Sequence, residues 1–277
     1  MHAHGAVGSV KSTFQCRVEQ FPGFDPAEYA HSFIYEIMPR IRTGGNRCYR
    51  SGRTADTRQL SRMPDLNTIA GFLCAVGFNS WNQLGCNYDE VKIRAVADSM
   101  VSSGLGAAGY RYLVLDDCWM DRARNTTNCP AGSPAPCWQF DKQRFPSGGK
   151  ALIDYVHTRG LLFGLYSSAG PKTCQGRPAS LGREVADAQW LAAMEVDYFK
   201  YDNCGSEGVT EAEQQDRVQK MSDAVLATGR PIFMSLCEWN GHTGNPFDWV
   251  RRLGNSWRTD GDINPHVRDY SALRCCR

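Results

Sequence analysis

The sequence lacks an excess of charge of either sign: 31 lysines and arginines stand against 29 aspartates and glutamates, a formal net charge of +2 over 277 residues. Without a basic surplus or a basic run, nucleic acid and anionic membrane surfaces are excluded as main partners, and a small molecule or neutral polymer is expected instead. Long hydrophobic runs are also missing. The longest, Ile69 to Phe78, is about half of what a bilayer span requires, so no transmembrane helix is expected. The first thirty residues scatter His, Lys, Glu and Asp and have no apolar stretch followed by a small-residue cleavage site, so no signal peptide is legible. C-x-x-C pairs are absent, which argues against structural zinc. Twelve cysteines are nevertheless many for a reducing compartment, and disulfides are the better reading. A single Asn-x-Thr triplet, Asn125-Thr126-Thr127, fits the same secretory route.

Residues 1–68 show no sustained apolar period and carry irregularly spaced arginines, so they are read as mostly disordered. From about residue 70 to 263, short runs of β formers alternate with amphipathic helical stretches at a spacing of about 35 residues, the pattern of repeated βα units. Residues 264–277 read as an irregular tail. One helix is expected from the stripe Ile93, Val96, Ala97, Met100 and Val101, with Asn87 and Glu90 placed as its cap. A second runs from Ser147 to Gly160, and a third opens on the capping box Thr210-x-x-Glu213 and stops at Gly229. Strands are expected near 76–81, 110–116, 161–166, 196–201, 231–237 and 256–261. The fold class is therefore α/β of the (β/α)8 TIM-barrel type, incomplete, since a closed barrel needs eight units and about 250 residues.

Four of the six strands end in acids: Asp116-Asp117, Asp202, Glu238 and Asp262. Each alone could cap the following helix. Together, at the C-terminal ends of parallel strands, they should converge in one cleft. Paired carboxylates in a cleft can hydrolyse a glycosidic bond, one as nucleophile and the other as proton donor. Lys200 lies two residues before Asp202, on the same face of a strand, and an ammonium there favours the ionised carboxylate of a nucleophile. Asp262, following Arg258, is the candidate general acid. Trp81, Trp119, Tyr166 and Trp239 at strand ends suit the apolar face of a pyranose, although Trp119 reads equally well as barrel core. A divalent metal held by the same acids is the rival reading, weakened because no His accompanies them and Lys200 would compete with a cation. No cofactor is expected.

Seven ordered segments resemble the signatures of glycoside hydrolase family 27, the α-galactosidases or melibiases. They are Gly77-Phe78-Asn79-Ser80-Trp81-Asn82, Leu115-Asp116-Asp117-Cys118-Trp119, Phe145-Pro146-x-Gly148, Gly164-Leu165-Tyr166-Ser167, Lys200-Tyr201-Asp202-Asn203-Cys204, Ser235-Leu236-Cys237-Glu238-Trp239 and Ser256-Trp257-Arg258-Thr259-x-Gly261-Asp262-Ile263. The resemblance implies a retaining exo-glycosidase that removes terminal α-galactosyl residues, with Asp202 as nucleophile and Asp262 as acid/base. It implies galactose contacts from Trp81, Asp116, Asp117, Tyr166, Lys200, Glu238, Trp239 and Arg258, and disulfides Cys86–Cys118 and Cys174–Cys204. A local Cys129–Cys137 bridge is expected in an insertion after the second strand. By resemblance the protein would be secreted, vacuolar or lysosomal.

Within the family, α-N-acetylgalactosaminidase and β-L-arabinopyranosidase are the alternatives. Glu238-Trp239 and the small acid Asp117 favour galactose. The likeness stops at Asp262-Ile263, so two further barrel strands and the family's C-terminal β-sandwich are expected to be absent. Residues before Val76 look unrelated to the family. A non-catalytic fragment, its carboxylates present but not held in place, is therefore the competing hypothesis.

Overall fold

A computed structural model of the chain describes residues 33–35, 76–237, 247–258 and Asp262. Seven strands form one sheet in sequence order: β1 (Phe33–Tyr35), β2 (Val76–Asn79), β3 (Tyr112–Leu115), β4 (Leu162–Ser168), β5 (Tyr198–Asp202), β6 (Phe233–Cys237) and β7 (Ser256–Trp257). Six of them, β2 to β7, are parallel, and the helices α1 (Trp81–Leu84), α2 (Glu90–Ser102), α3 (Gly149–His157), α4 (Glu184–Ala193), α5 (Glu211–Ala227) and α6 (Phe247–Leu253) lie between them in the chain. This is the incomplete (β/α)8 wall expected from the sequence. The remainder of 1–68 lies outside the described residues, but Phe33–Tyr35, inside the stretch read as mostly disordered, is a strand. It pairs antiparallel with β2 in the register Phe33↔Phe78 and Tyr35↔Val76. Its three residues are all strong β formers, a signal too short to stand out from its polar flanks.

The strands read as near-continuous apolar runs because both faces are covered. On β3, Leu113 and Leu115 join the large core beneath the helices, whereas Val114 faces the barrel interior with Tyr198 and Phe233. The Tyr198 and Phe233 rings stack at 5.3 Å, and Tyr112 leans on both. Gly164 makes this inner layer possible. A methyl group there would lie 2.7 Å from a Val114 methyl carbon and 3.0 Å from the Tyr198 ring.

The helices follow the expected periodicity with local differences. Ile93, Ala97 and Met100 of α2 are buried, but Val96 is only partly covered and Val101 is exposed, so the stripe is narrower than read. The cap differs too. Asp89, not Asn87, accepts the Lys92 N–H at 2.8 Å. Glu90 instead accepts from the Ser147 backbone and hydroxyl at 3.0 and 2.9 Å, tying the start of α2 to the approach to α3, which begins at Gly149. At α5 the capping box forms as expected, Thr210 and Glu213 each serving the other's backbone N–H.

Between β3 and α3 the chain makes a folded excursion centred on four aromatic side chains. Trp119 stacks on Trp190 at 5.5 Å and meets Trp138 edge-on at 5.9 Å, with Phe140 at 4.8 Å. Trp119 is fully buried and its indole N–H donates to the Tyr166 carbonyl at 2.8 Å, so it belongs to the core. Burying one such ring is worth roughly 1.5–3 kcal/mol or more. The cluster gives the excursion a fixed footing against the C-terminal ends of β3 and β4.

Candidate active site

Asp116 and Asp117, directly after β3, are both buried. Asp116 Oδ2 accepts from the Asn79 amide at 2.8 Å and from the Lys200 ammonium at 2.7 Å, and its backbone N–H donates to Ser80 Oγ at 3.0 Å. Three parallel strands thus meet at one carboxylate. The Tyr88 hydroxyl lies 2.8 and 2.7 Å from the Asp116 and Asp117 carbonyls and steadies the turn from behind. Asp117 is held differently, by neutral donors. Its Oδ1 accepts from the Cys118 N–H at 2.7 Å and Thr173 Oγ1 at 2.9 Å, and its Oδ2 from the Gln175 N–H at 2.8 Å. Burial pushes the Asp117 carboxyl above the usual carboxylate range, and the three donors offset only part of that effect.

Asp202, the last residue of β5, is also buried. Tyr166 on β4 donates its hydroxyl to Asp202 Oδ2 at 2.8 Å, and the Asn203 N–H donates to Oδ1 at 2.8 Å. The Cys174–Cys204 disulfide packs beside the same carboxylate, with Cys174 Sγ 3.4 Å from Oδ2. Burial and then the negative charge of Asp202 push the Tyr166 phenol far above its ordinary value, so it stays a donor. Lys200 was expected to serve Asp202; its ion pair is with Asp116, and Asp202 acts on it from farther off. Burial works against the Lys200 charge, but the neighbouring acids outweigh it and hold the ammonium above its usual range.

Three disulfides close among the described residues: Cys86–Cys118, Cys129–Cys137 and Cys174–Cys204. The first and third pin the loops that follow β2, β3, β4 and β5 to one another at the strand ends. Trp81 opens α1, its backbone N–H bound to Asn79 Oδ1 at 2.8 Å. Arg258 follows β7 and pairs with Asp262 at 3.1 Å. Asp262 has its side chain more than half exposed, unlike the buried Asp116, Asp117 and Asp202. Glu238 and Trp239 lie outside the described residues.

The structure also brings in residues that the sequence reading passed over. Asn79, Thr173 and Gln175 orient the two β3 carboxylates. Asn79 lies inside the first of the seven signature segments but carries no assigned role there, and Thr173 and Gln175 are marked only by flanking Cys174. Cys237, at the end of β6, is a buried free thiol that accepts from Arg258 Nη1 at 3.5 Å, and burial pushes it up to about 12. One cluster with ligand-like atoms includes Asp202, but its two sulfurs are joined in the Cys174–Cys204 disulfide and offer no thiolate.

A curled parallel sheet that gathers three buried carboxylates and a lysine at the C-terminal ends of its strands defines an incomplete TIM-barrel domain, with that cluster on the face where such barrels carry their sites. The sequence model of the alpha galactosidase A family matches residues 69–272, and the chain belongs to that family. It is 47% identical over 191 residues to alpha-galactosidase A of Cellvibrio japonicus, covering 69% of this chain and 44% of that protein. To the alpha-galactosidase of Coffea arabica it is 45% identical over 215 residues, covering 76% and 53%. Among solved structures, alpha-galactosidase I from Mortierella vinacea superposes with a TM-score of 0.62 at 41% identity, covering 70% of this chain and 47% of that one. The chain spans about half the length of the curated relatives it matches.

Proposed function

We propose that this chain provides the galactose-binding and nucleophile-bearing part of a retaining α-galactosidase. The carrying observation is the Asp202 carboxylate, fixed by Tyr166 and the Asn203 N–H beside Asp117 and the Asp116–Lys200 pair. A buried carboxylate with one oxygen bound to a phenol and the other to a backbone N–H is held in one orientation, which attack on an anomeric carbon requires. Asp262 is the acid/base, and Arg258 pairs with it at 3.1 Å. Asp116 and Asp117 take the 4- and 6-hydroxyl side of galactose, with Lys200, Tyr166, Trp81, Glu238, Trp239 and Arg258 completing the pocket. Asp117 is short and its two oxygens are held in place, which leaves room for a hydroxymethyl group and favours galactose over arabinose. The substrate class is an α-galactoside or oligosaccharide, and raffinose is a natural probe because an alpha-galactosidase from Saccharomyces cerevisiae, 40% identical, has been solved with it. Three disulfides suit a secreted or vacuolar compartment.

The test is hydrolysis of p-nitrophenyl α-galactoside and raffinose by the full chain and by Asp202→Asn. Turnover should fall at least about 10^3-fold in the variant while galactose affinity changes little. A variant that keeps most of its rate overturns the role of Asp202. Absence of turnover in both overturns catalysis by this chain alone.

A further inference from the structure

The excursion between β3 and α3 carries a feature that glycoside hydrolysis does not use. Asn125 sits where two segments of this excursion pair in an isolated antiparallel bridge: its N–H donates to the Cys137 carbonyl at 2.8 Å, the Cys137 N–H returns a bond at 2.9 Å, and the Cys129–Cys137 disulfide closes the turn between them. The residue before it is anchored inward. Arg124 lies over the Trp138 ring at 5.0 Å, pairs with Asp187 through both guanidinium nitrogens at 2.5 and 2.7 Å, and donates to the Ala179 carbonyl at 2.8 Å. Thr126, Thr127 and Asn128 face solvent. Arg124 is turned inward, while the hydrogen bonds of the half-buried Asn125 amide lie at exposed positions on this disulfide-closed turn.

The amide is presented in a defined way. Its Oδ1 accepts from the Thr127 and Asn128 N–H groups at 3.0 and 3.1 Å, with the Thr127 hydroxyl at 3.4 Å. Its Nδ2 donates to the Asn128 carbonyl at 3.1 Å, at an exposed position. A primary amide has two N–H groups, and this contact engages one of them. Asn125-Thr126-Thr127 is also the chain's only Asn-x-Ser/Thr triplet.

We propose that Asn125 is an N-glycosylation site, carrying a glycan that projects from the rim of the barrel's C-terminal face. The acceptor is Nδ2. It forms a bond to the anomeric carbon of a lipid-linked oligosaccharide diphosphate, the carbon–oxygen bond to the diphosphate breaks, the lipid diphosphate departs with the electron pair, and the amide gives up one proton. The second N–H survives and keeps the bond to Asn128, so the glycan costs the fold no hydrogen bond. The same lumenal compartment closes the Cys129–Cys137 bridge. The reading does not depend on hydrolase activity.

The experiment is intact-mass measurement of the full chain, expressed behind a cleavable leader in a yeast host and recovered from both medium and the disulfide-closed lumenal pool. One oligosaccharide's mass should be present, be removed by peptide N-glycosidase, and leave aspartate at position 125. Asn125→Gln and Thr127→Ala should abolish it, and Thr127→Ser should restore it, because the hydroxyl rather than the methyl completes the acceptor. A chain at its bare polypeptide mass in both pools, or a mass excess that survives Asn125→Gln, overturns the proposal.

Discussion

Replacing Thr173 by valine keeps the volume of a buried side chain and removes one hydroxyl that does two things. Thr173 Oγ1 donates to Asp117 Oδ1 at 2.9 Å and accepts the Arg177 N–H at 3.0 Å. Losing the acceptor leaves a backbone N–H unpaired, which costs about 1–3 kcal/mol at any pH. Losing the donor depends on the charge of Asp117: a bond to an ionised group is worth about 1.5–3 kcal/mol and a neutral one about 0.5–1.5, so about 1 kcal/mol of the deficit should titrate. The sign follows from burial. The folded-state pKa of Asp117 is raised, so its contribution to stability is fully present below the ordinary carboxylate range and is lost as pH rises through the raised value. Thr173→Val raises that pKa further, and its deficit is largest at neutral pH and shrinks on acidification. Urea unfolding of the wild type, Thr173→Val and Thr173→Ser at pH 7 and at a series of acid pH values measures this directly. Serine should recover nearly everything. A deficit of the same size at every pH, or a serine variant as unstable as the valine one, would refute the claim that this hydroxyl supports an ionised Asp117.

Lys200→Met strands Asp116 in the interior with the Asn79 amide as its remaining side-chain donor. Unfolding free energy should fall by about 3–5 kcal/mol, and a variant as stable as wild type would show that the pair carries no weight. Arg124→Met leaves buried Asp187 without its guanidinium and should cost about as much, whereas the double variant Arg124→Met/Asp187→Leu should recover most of the loss in the same unfolding assay. Burial already raises the Asp187 pKa, so the Arg124→Met deficit should diminish as pH falls. Gly170→Ala would drive a methyl group into the Cys204 carbonyl and move the segment joined by the Cys174–Cys204 bridge, lowering the melting temperature by about 2–4 °C for each of the roughly 1–3 kcal/mol lost.

Much of this architecture is written in linear pattern. Strands buried on both faces read as near-continuous apolar runs, which is why Tyr112-Leu113-Val114-Leu115 and Phe233-Met234-Ser235-Leu236-Cys237, interrupted by Ser235, stand out without strict alternation. The Thr210–Glu213 box is legible because both partners lie within one turn of helix. Acids placed after such runs locate a site, since parallel strands carried by crossover helices deliver their C-terminal ends to one face. The residues that support buried acids are not legible in the same way. Thr173 is 56 residues from Asp117, Arg124 is 63 from Asp187, and nothing near either in the chain marks the contact. The helix cap falls on Asp89 rather than Asn87, and Glu90 spends its carboxylate on Ser147, 57 residues away in the chain.

The sequence by itself therefore determined the order of βα units, the position of Asp116, Asp117 and Asp202 at strand ends, and the presence of an Asn-x-Thr acceptor triplet. These are local facts of period, propensity and spacing. Only the tertiary structure decided which acid the lysine serves, Asp116 rather than Asp202, and which way Trp119 points, into the core rather than toward a sugar. It also decided which side chains hold Asp117. Such choices depend on distances between residues far apart in the chain, and those distances exist only once the sheet has curled and brought its strand ends together.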